Sequence, residues 1–250
     1  ETAMRTVSHL TPNAAILEVG SNGSIPLLLS HVFGASNLSA ADGLGGFFGH
    51  KDGRIVHHQE PDLDFALPIT KVDLEHERWP FPDASRDFVL CFETLEHFRE
   101  DPMFFMIEAN RVLRPGGRLI LTTPNSSSLR AIANVLNHWS PYLYSVYVRG
   151  NTWRGMAHVK EYAVRELRQL FEHAGFGIES HQTFSPYKDD VEDKLPALRE
   201  SLRGFGLKDD FAGSTHFIVG AKRADPICRA YLPLYQGDEP WTGWPATPSV

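Results

Sequence analysis

Short apolar runs closed by Gly, Pro or an acid alternate along this chain with stretches whose apolar residues recur at helical spacing. The first run, Ala14 to Val19 (AAILEV), predicts a buried strand that stops at Gly20. Ser24 to Phe33 follows as a helix, with Pro26 tolerated in the first turn because amides there have no intrahelical acceptor. Leu38 to Asp42 (LSAAD) reads as a second strand ending in an acid, Ile69 to Leu74 as a third and Asp87 to Phe92 as a fourth. Asp101 is placed to cap a helix that begins at Pro102 and runs to Leu113, with Phe105, Ala109 and Val112, then Phe104 and Ile107, at helical spacing. Pro115-Gly116-Gly117 ends it, and Arg118 to Thr123 is the fifth strand. Ala163 to Ala174 is an amphipathic helix with Val164, Leu167, Phe171 and Ala174 inward, stopped by Gly175. Phe176 to Phe184 and Thr215 to Lys222 complete the strands. This alternation of strands and helices is that of an α/β fold with a doubly wound, mostly parallel sheet.

The remaining segments break the alternation. Gly43 to Gly53 carries five glycines and reads as an irregular loop rather than a crossover helix. Ser126 to Ala157 interrupts the scaffold after the fifth strand and holds Trp139, Tyr142, Tyr144, Tyr147 and Trp153, which suggests a lid over the site. Pro186 to Asp210 is a charged, helical second insert. The expected organisation is one domain over residues 1–223, with inserts at 126–157 and 186–210, and an extended Pro- and Trp-rich tail over 224–250.

Composition narrows the function classes. At 250 residues, 42% hydrophobic and 22% charged, the chain is long enough for one full core of ordinary globular make-up. The formal charge of −7 and the lack of a basic stripe argue against nucleic acid as a partner. Apolar runs such as Ile25 to Leu29 are far too short to span a bilayer. Cys91 and Cys228 alone make no disulfide framework and suit a reducing cytoplasm, although numbering from Glu1 leaves room for a trimmed leader. Nothing in the composition opposes a homodimer.

Candidate chemistry gathers where strands end. Glu18-Val19-Gly20-Ser21-Asn22-Gly23-Ser24 forms the first strand-to-helix turn, where glycine lets the backbone turn sharply and a ligand approach closely. Asp42, 22 residues after Gly20, can accept hydrogen bonds from a ribose diol. His158, between the aromatic insert and the next helix, is either a general base or a structural histidine. His57-His58 with Asp62 and Asp64 matches no familiar metal-ligand spacing, so no metal is assigned. A Ser nucleophile lacks its Gly-x-Ser-x-Gly turn, and Cys91 lies in an apolar strand where a thiolate is disfavoured.

The run from Val72 to Asn125 resembles the class I S-adenosylmethionine-dependent methyltransferases. Asp73 followed by Pro80-Phe81, then Glu96-His97, then Arg111-Val112-Leu113-Arg114-Pro115-Gly116-Gly117 and Thr123-Pro124-Asn125, recur there in this order. The resemblance covers Ala14 to Lys222 and implies a seven-stranded Rossmann-like sheet with S-adenosylmethionine as cofactor. It places Glu18, Gly20, Ser21, Asn22, Gly23 and Asp42 on the cofactor, Asp73 and Leu74 against adenine, and Cys91, Phe92 and Glu93 beneath the sulfonium. The first motif departs from the family's acid-x-Gly-x-Gly-x-Gly, with Asn22 and Ser24 where glycines are usual. His97 would lie beside the methionine moiety, ordering its loop and standing next in line to take a proton, and His158, followed by Glu161-Tyr162, would be the base of a hydroxyl-methylating member. The family's usual Thr or Ser cap is here Ala163.

The resulting expectation is methyl transfer to a hydroxyl of a sugar or glycan, held against Trp139, Tyr144, Trp153, Arg154 and Tyr162. A small phenolic, quinone-like or amine acceptor is the alternative within the class. An NAD-dependent oxidoreductase or a binding-only protein with a degenerate site are the alternatives outside it.

Overall fold

The computed structural model describes residues 11–21, 23–43, 54–56, 66–100, 102–143, 157–186 and 195–227. Its strands are β1 (Ile16–Val19), β2 (Leu38–Asp42), β3 (Arg54–Val56), β4 (Ala66–Lys71), β5 (Arg86–Phe92), β6 (Leu113–Pro124), β7 (Phe176–Phe184) and β8 (Thr215–Lys222). They form one eight-stranded sheet in the order β3-β4-β2-β1-β5-β6-β8-β7. Strands β4, β2, β1, β5 and β6 run parallel to their neighbours, β8 is antiparallel between β6 and β7, and β3 pairs antiparallel with β4 at the edge. The seven expected strands are all present, and β3 adds an eighth.

Helices α1 (Ser24–Phe33), α2 (Pro102–Val112), α3 (Leu129–Leu136), α4 (Val164–His173) and α5 (Pro196–Gly204) join them. Period-2 alternation sorts the strand residues onto two faces. Leu17, Val19, Val89, Cys91, Leu119 and Leu121 face a core completed by Phe105, Ala109 and Val112 of α2 and Leu167, Leu170 and Phe171 of α4. Ile16, Phe88, Leu90 and Ile120 face the other way, against Leu29 of α1. Burial on both faces explains why these strands read as unbroken apolar runs.

Three expectations change. The third strand is Ala66–Lys71 rather than 69–74, so Asp73 and Leu74 lie past its end in a turn. The fifth strand, read as Arg118 to Thr123, is β6 and starts at Leu113, so Pro115-Gly116-Gly117 lie inside it. In the helical, aromatic insert that follows, Ser128 caps α3 by accepting from the Ala131 amide at 3.1 Å. At α4 the missing cap hydroxyl is half replaced: Ala163 has no side-chain acceptor, but its amide donates to Glu166 Oε2 at 2.9 Å. Asp101, residues 44–53 and most of the C-terminal tail lie outside the described residues.

Candidate active site

Parallel pairing of β4, β2, β1, β5 and β6 sets their carboxyl ends along one edge, the edge at which open α/β sheets bind ligands. Glu18 stands near the end of β1, buried, with Ser21 Oγ donating to its Oε2. Burial raises its carboxyl to about 7, the Ser21 hydrogen bond offsetting part of the effect. The Gly23 amide donates to Ser21 Oγ at 3.1 Å, closing the turn on itself. Gly20 has φ of 69°, a left-handed conformation, and a β-carbon there would collide with the Thr94 side chain. Gly20 thus satisfies a backbone demand and a packing demand at once, and it brings the first turn against the loop after β5. Asp42 is buried at the end of β2.

That second loop carries the densest chemistry. Glu93 follows β5 with φ of 47°, and its amide donates to Thr122 O at 3.0 Å. Its side chain is solvent-accessible, yet the protein packed around it desolvates the carboxyl enough to raise it. Leu95–His97 form a single 3₁₀ turn. Glu96 is fully buried, and Thr123 Oγ1 donates to its Oε2 at 2.9 Å. Burial first, then the charge of Glu93, pushes the Glu96 carboxyl well above its ordinary range.

The segment that opens at Ala157 is laced onto this loop. Val159 N donates to Glu96 O at 2.8 Å, and His97 Nδ1 lies 3.1 Å from Ala157 O. These bonds bring the His97 and His158 rings into edge contact, 4.8 Å apart at 89°. Burial lowers the His97 pKa, which keeps its imidazole neutral. Glu161, fully buried, sits with Oε1 3.4 Å from His158 Nδ1, and both its oxygens accept from the Leu143 amide, at 3.0 and 2.8 Å. His158 therefore has a carboxylate 3.4 Å behind Nδ1, near enough to steady a protonated ring though not aligned as a hydrogen bond, and a neutral imidazole beside it.

Of the expected cofactor residues, Glu18, Gly20, Ser21, Gly23, Asp42, Phe92 and Glu93 line this edge, and Asn22 lies outside the described residues. Cys91 is a correction: its side chain is 0% exposed within the core and its thiol is pushed up by burial, so it offers a ligand no surface. Asp73 is at the right edge but turned to local work. Its carboxylate accepts from the Glu75 amide at 2.9 Å and lies 3.0 Å from His76 Nδ1. These contacts outweigh its own desolvation and hold its carboxyl below the usual range. Leu74 is buried beside it.

Among the acceptor residues, Tyr162 is also corrected. It is 2% exposed in the main core, and its backbone carbonyl takes hydrogen bonds from Ser126 N and His216 Nε2. Trp139 is the opposite case, 75% exposed just beyond α3. Tyr144, Trp153 and Arg154, and the His57-His58 and Asp62-Asp64 positions, lie outside the described residues. The sequence reading missed Glu161 as the partner of His158 and Thr123 as the partner of Glu96. An acid three residues after a candidate base was the available signal for Glu161.

Residues 13–181 match the model of a family described as "Methyltransferase domain". The chain is 34% identical over 112 residues to a Mycolicibacterium smegmatis protein named "Probable S-adenosylmethionine-dependent methyltransferase", covering 44% of this chain and 37% of that one. It is 29% identical over 149 residues to a 27-O-demethylrifamycin SV methyltransferase from Amycolatopsis mediterranei, covering 58% of this chain and 49% of that protein. The chain thus spans less than half the length of either curated relative. Among solved structures, a SAM-dependent methyltransferase from Archaeoglobus fulgidus shares the fold at a TM-score of 0.55 and 16% identity, over 88% of this chain and 91% of that one.

Proposed function

This chain belongs to the class I S-adenosylmethionine-dependent methyltransferase family, and from that premise we propose that it methylates a hydroxyl of a sugar or glycan acceptor. The observation that carries the hydroxyl is the buried His158 with Glu161 behind it, tied by backbone to the loop whose Thr94 packs against the Gly20 turn. S-adenosylmethionine, when bound, supplies a methyl group on a sulfonium, an electrophile that needs alignment more than activation.

The residues present fit such a cofactor. Glu18 is a buried carboxyl that burial raises to about 7 despite the Ser21 hydroxyl, and a burial penalty of that kind is relieved by an ammonium group brought beside it. Asp42 offers a carboxylate to a ribose diol, and Gly43 beside it lets the Val72 carbonyl pack closely, where a β-carbon would lie 2.7 Å from that oxygen. On the acceptor side, His158 Nε2 takes the proton of the attacking hydroxyl while Glu161 steadies the imidazolium at Nδ1. Trp139 presents an exposed aromatic face of the kind that stacks on a sugar ring. The insert over 126–157 is the proposed acceptor-holding lid. A second reading, a hydroxyl of a small molecule, draws support from the Amycolatopsis relative, which is named for methylating 27-O-demethylrifamycin SV.

Calorimetry against S-adenosylmethionine, its demethylated product and NAD tests the premise. Binding of the first two is expected, and its loss in Asp42→Ala. In a mass-resolved methylation assay, His158→Ala should lower turnover by roughly 10²–10⁴-fold with cofactor affinity unchanged. Tight NAD binding with no response to S-adenosylmethionine overturns the reading. Full activity of His158→Ala removes the base.

A further inference from the structure

Glu96, His97 and His158 each offer one ligand atom, and these three atoms lie within 4.8 Å of one another. We infer that the three side chains bind one divalent transition-metal ion of the zinc type, a role distinct from the proton transfer given to His158 above. The inference rests on the same cleft as the proposed function, but its test separates the two.

Two of the three candidate ligands, His97 and Glu96, are oriented by a hydrogen bond on the far side, as ligands are in metalloproteins, and the third, His158, has a carboxylate behind it. His97 turns Nδ1 to the Ala157 carbonyl at 3.1 Å, which leaves Nε2 facing Glu96 Oε1 at 3.9 Å. His158 has Glu161 Oε1 3.4 Å from its Nδ1. Glu96 takes the Thr123 hydroxyl on Oε2 at 2.9 Å. Its other oxygen, Oε1, is buried with no hydrogen-bond partner among the described residues. A carboxylate oxygen that is fully buried, unpartnered and turned toward an imidazole nitrogen is costly unless a proton or a cation meets it.

The surroundings favour a cation. Glu93 and Glu161 lie within electrostatic reach of Glu96, so three carboxylates surround two imidazoles. Two histidines and one carboxylate form a set that zinc takes in catalytic sites, where a further position stays open. Zinc-to-nitrogen bonds of about 2.0–2.1 Å put tetrahedral ligand atoms about 3.4 Å apart, so closing the site needs side-chain shifts of the order of 1 Å. Glu96 and His97 are neighbours on one 3₁₀ turn, and the bonds Val159 N to Glu96 O and His97 Nδ1 to Ala157 O hold the backbone on either side of His158 against it, so closing the site asks for side-chain rotation alone.

Glu96, His97 and His158 would hold the ion, which would supply Lewis-acid polarisation of an acceptor hydroxyl, and without the ion His158 keeps the proton-accepting role given above.

Cobalt(II) is the probe, since four- and five-coordinate Co²⁺ absorbs strongly in the visible and the hexaaqua ion does not. Chelator-stripped protein titrated with Co²⁺ should develop this band at one equivalent and lose it to one equivalent of Zn²⁺. Glu96→Gln, His97→Ala and His158→Ala should each weaken Co²⁺ binding by at least tenfold. Calorimetric binding of S-adenosylmethionine, checked on each variant, reports that the fold is intact. A missing band, or a band unchanged in all three variants that still bind cofactor, overturns the metal site and leaves the methyltransferase reading standing. A band with no cofactor binding in the wild type does the reverse. Should Glu96→Gln fail to fold, His97→Asn decides by the same two measurements.

Discussion

Acidifying the protein should weaken it through a pair of histidines that the chemistry does not use directly. His181 Nε2 and His216 Nδ1 are 3.0 Å apart, and His216 Nε2 lies 2.8 Å from the Tyr162 carbonyl. The geometry sets the tautomers: His216 donates to the carbonyl, so its Nδ1 accepts from His181. Burial lowers His181 to about 3, helped by the neighbouring His216 and Arg168, and lowers His216 to about 4. Both are therefore neutral in the native state and titrate near 6.5 once unfolded. Their stabilisation is complete above pH 6.5 and drains away as pH falls toward 4, because the unfolded chain binds protons that the native chain refuses. At pH 5 the linkage amounts to about 2 kcal/mol for each histidine taken singly, and less than twice that for the pair, since its members repel when charged.

Glu18 works in the opposite sense. Its carboxyl, raised to about 7, makes the native state the better proton binder between about 4.5 and 7, so acidification through that window stabilises. The raw pH slope of the wild type mixes the two effects, and only a difference isolates the pair. Urea unfolding of the wild type and of His181→Leu/His216→Gln, at pH 8 and pH 5, supplies it. The variant should be the less stable protein at pH 8 and should lose about 2–4 kcal/mol less than the wild type on going to pH 5. Parallel losses would refute the reasoning, since both histidines would then titrate alike in the folded and unfolded chains.

Gly20→Ala should cost at least tenfold in S-adenosylmethionine affinity by calorimetry, because the new methyl collides with Thr94 and a left-handed non-glycine residue adds about 1–2 kcal/mol of strain. Unchanged affinity would detach that turn from the cofactor. Trp139→Ala should leave urea stability within about 0.5 kcal/mol while raising the acceptor's KM, since the side chain is 75% exposed. A stability loss with constant KM would make Trp139 a packing residue. Asn110→Ala should cost about 1–3 kcal/mol without changing activity per folded molecule, because Asn110 Nδ2 donates to the Ala174 and Ala224 carbonyls at 2.7 and 3.0 Å. Lost turnover at full stability would contradict that assignment.

The strands were legible where burial on both faces makes an apolar run, as in Ile16–Val19 and Arg86–Phe92. The third strand was read three residues late for two identifiable reasons. Pro68, which stands inside β4 on the side that meets the edge strand β3, masks the beginning, because proline normally marks a strand's limit. Past the end, buried Val72 and Leu74 alternate with exposed Lys71 and Asp73, so a turn mimics the strand period. Strand β3 carries no comparable signal in three residues beside a glycine-rich stretch.

The site divides along a different line. Residues that act on their own turn, such as Glu18, Gly20 and Ser21, can be read from spacing, because the turn that positions them is a few residues long. Residues that act across the fold cannot. Glu96 and His158 are 62 positions apart, and what joins them is backbone: Val159 N on Glu96 O and His97 Nδ1 against Ala157 O. His181 and His216 meet because β7 and β8 pair with His181 opposite Ile218, which puts His216 on the diagonal of the same face. A shift of one residue in that register would send one ring to each side of the sheet. The same register fixes the Tyr162 carbonyl through His216, next in the chain to Glu161, whose carboxylate stands behind His158. The geometry of the candidate base is thus set partly by a strand pairing on the far side of Tyr162. His181→Leu should therefore lower acceptor turnover while leaving cofactor affinity intact, and equal losses in both would show that β7 and β8 support the scaffold alone.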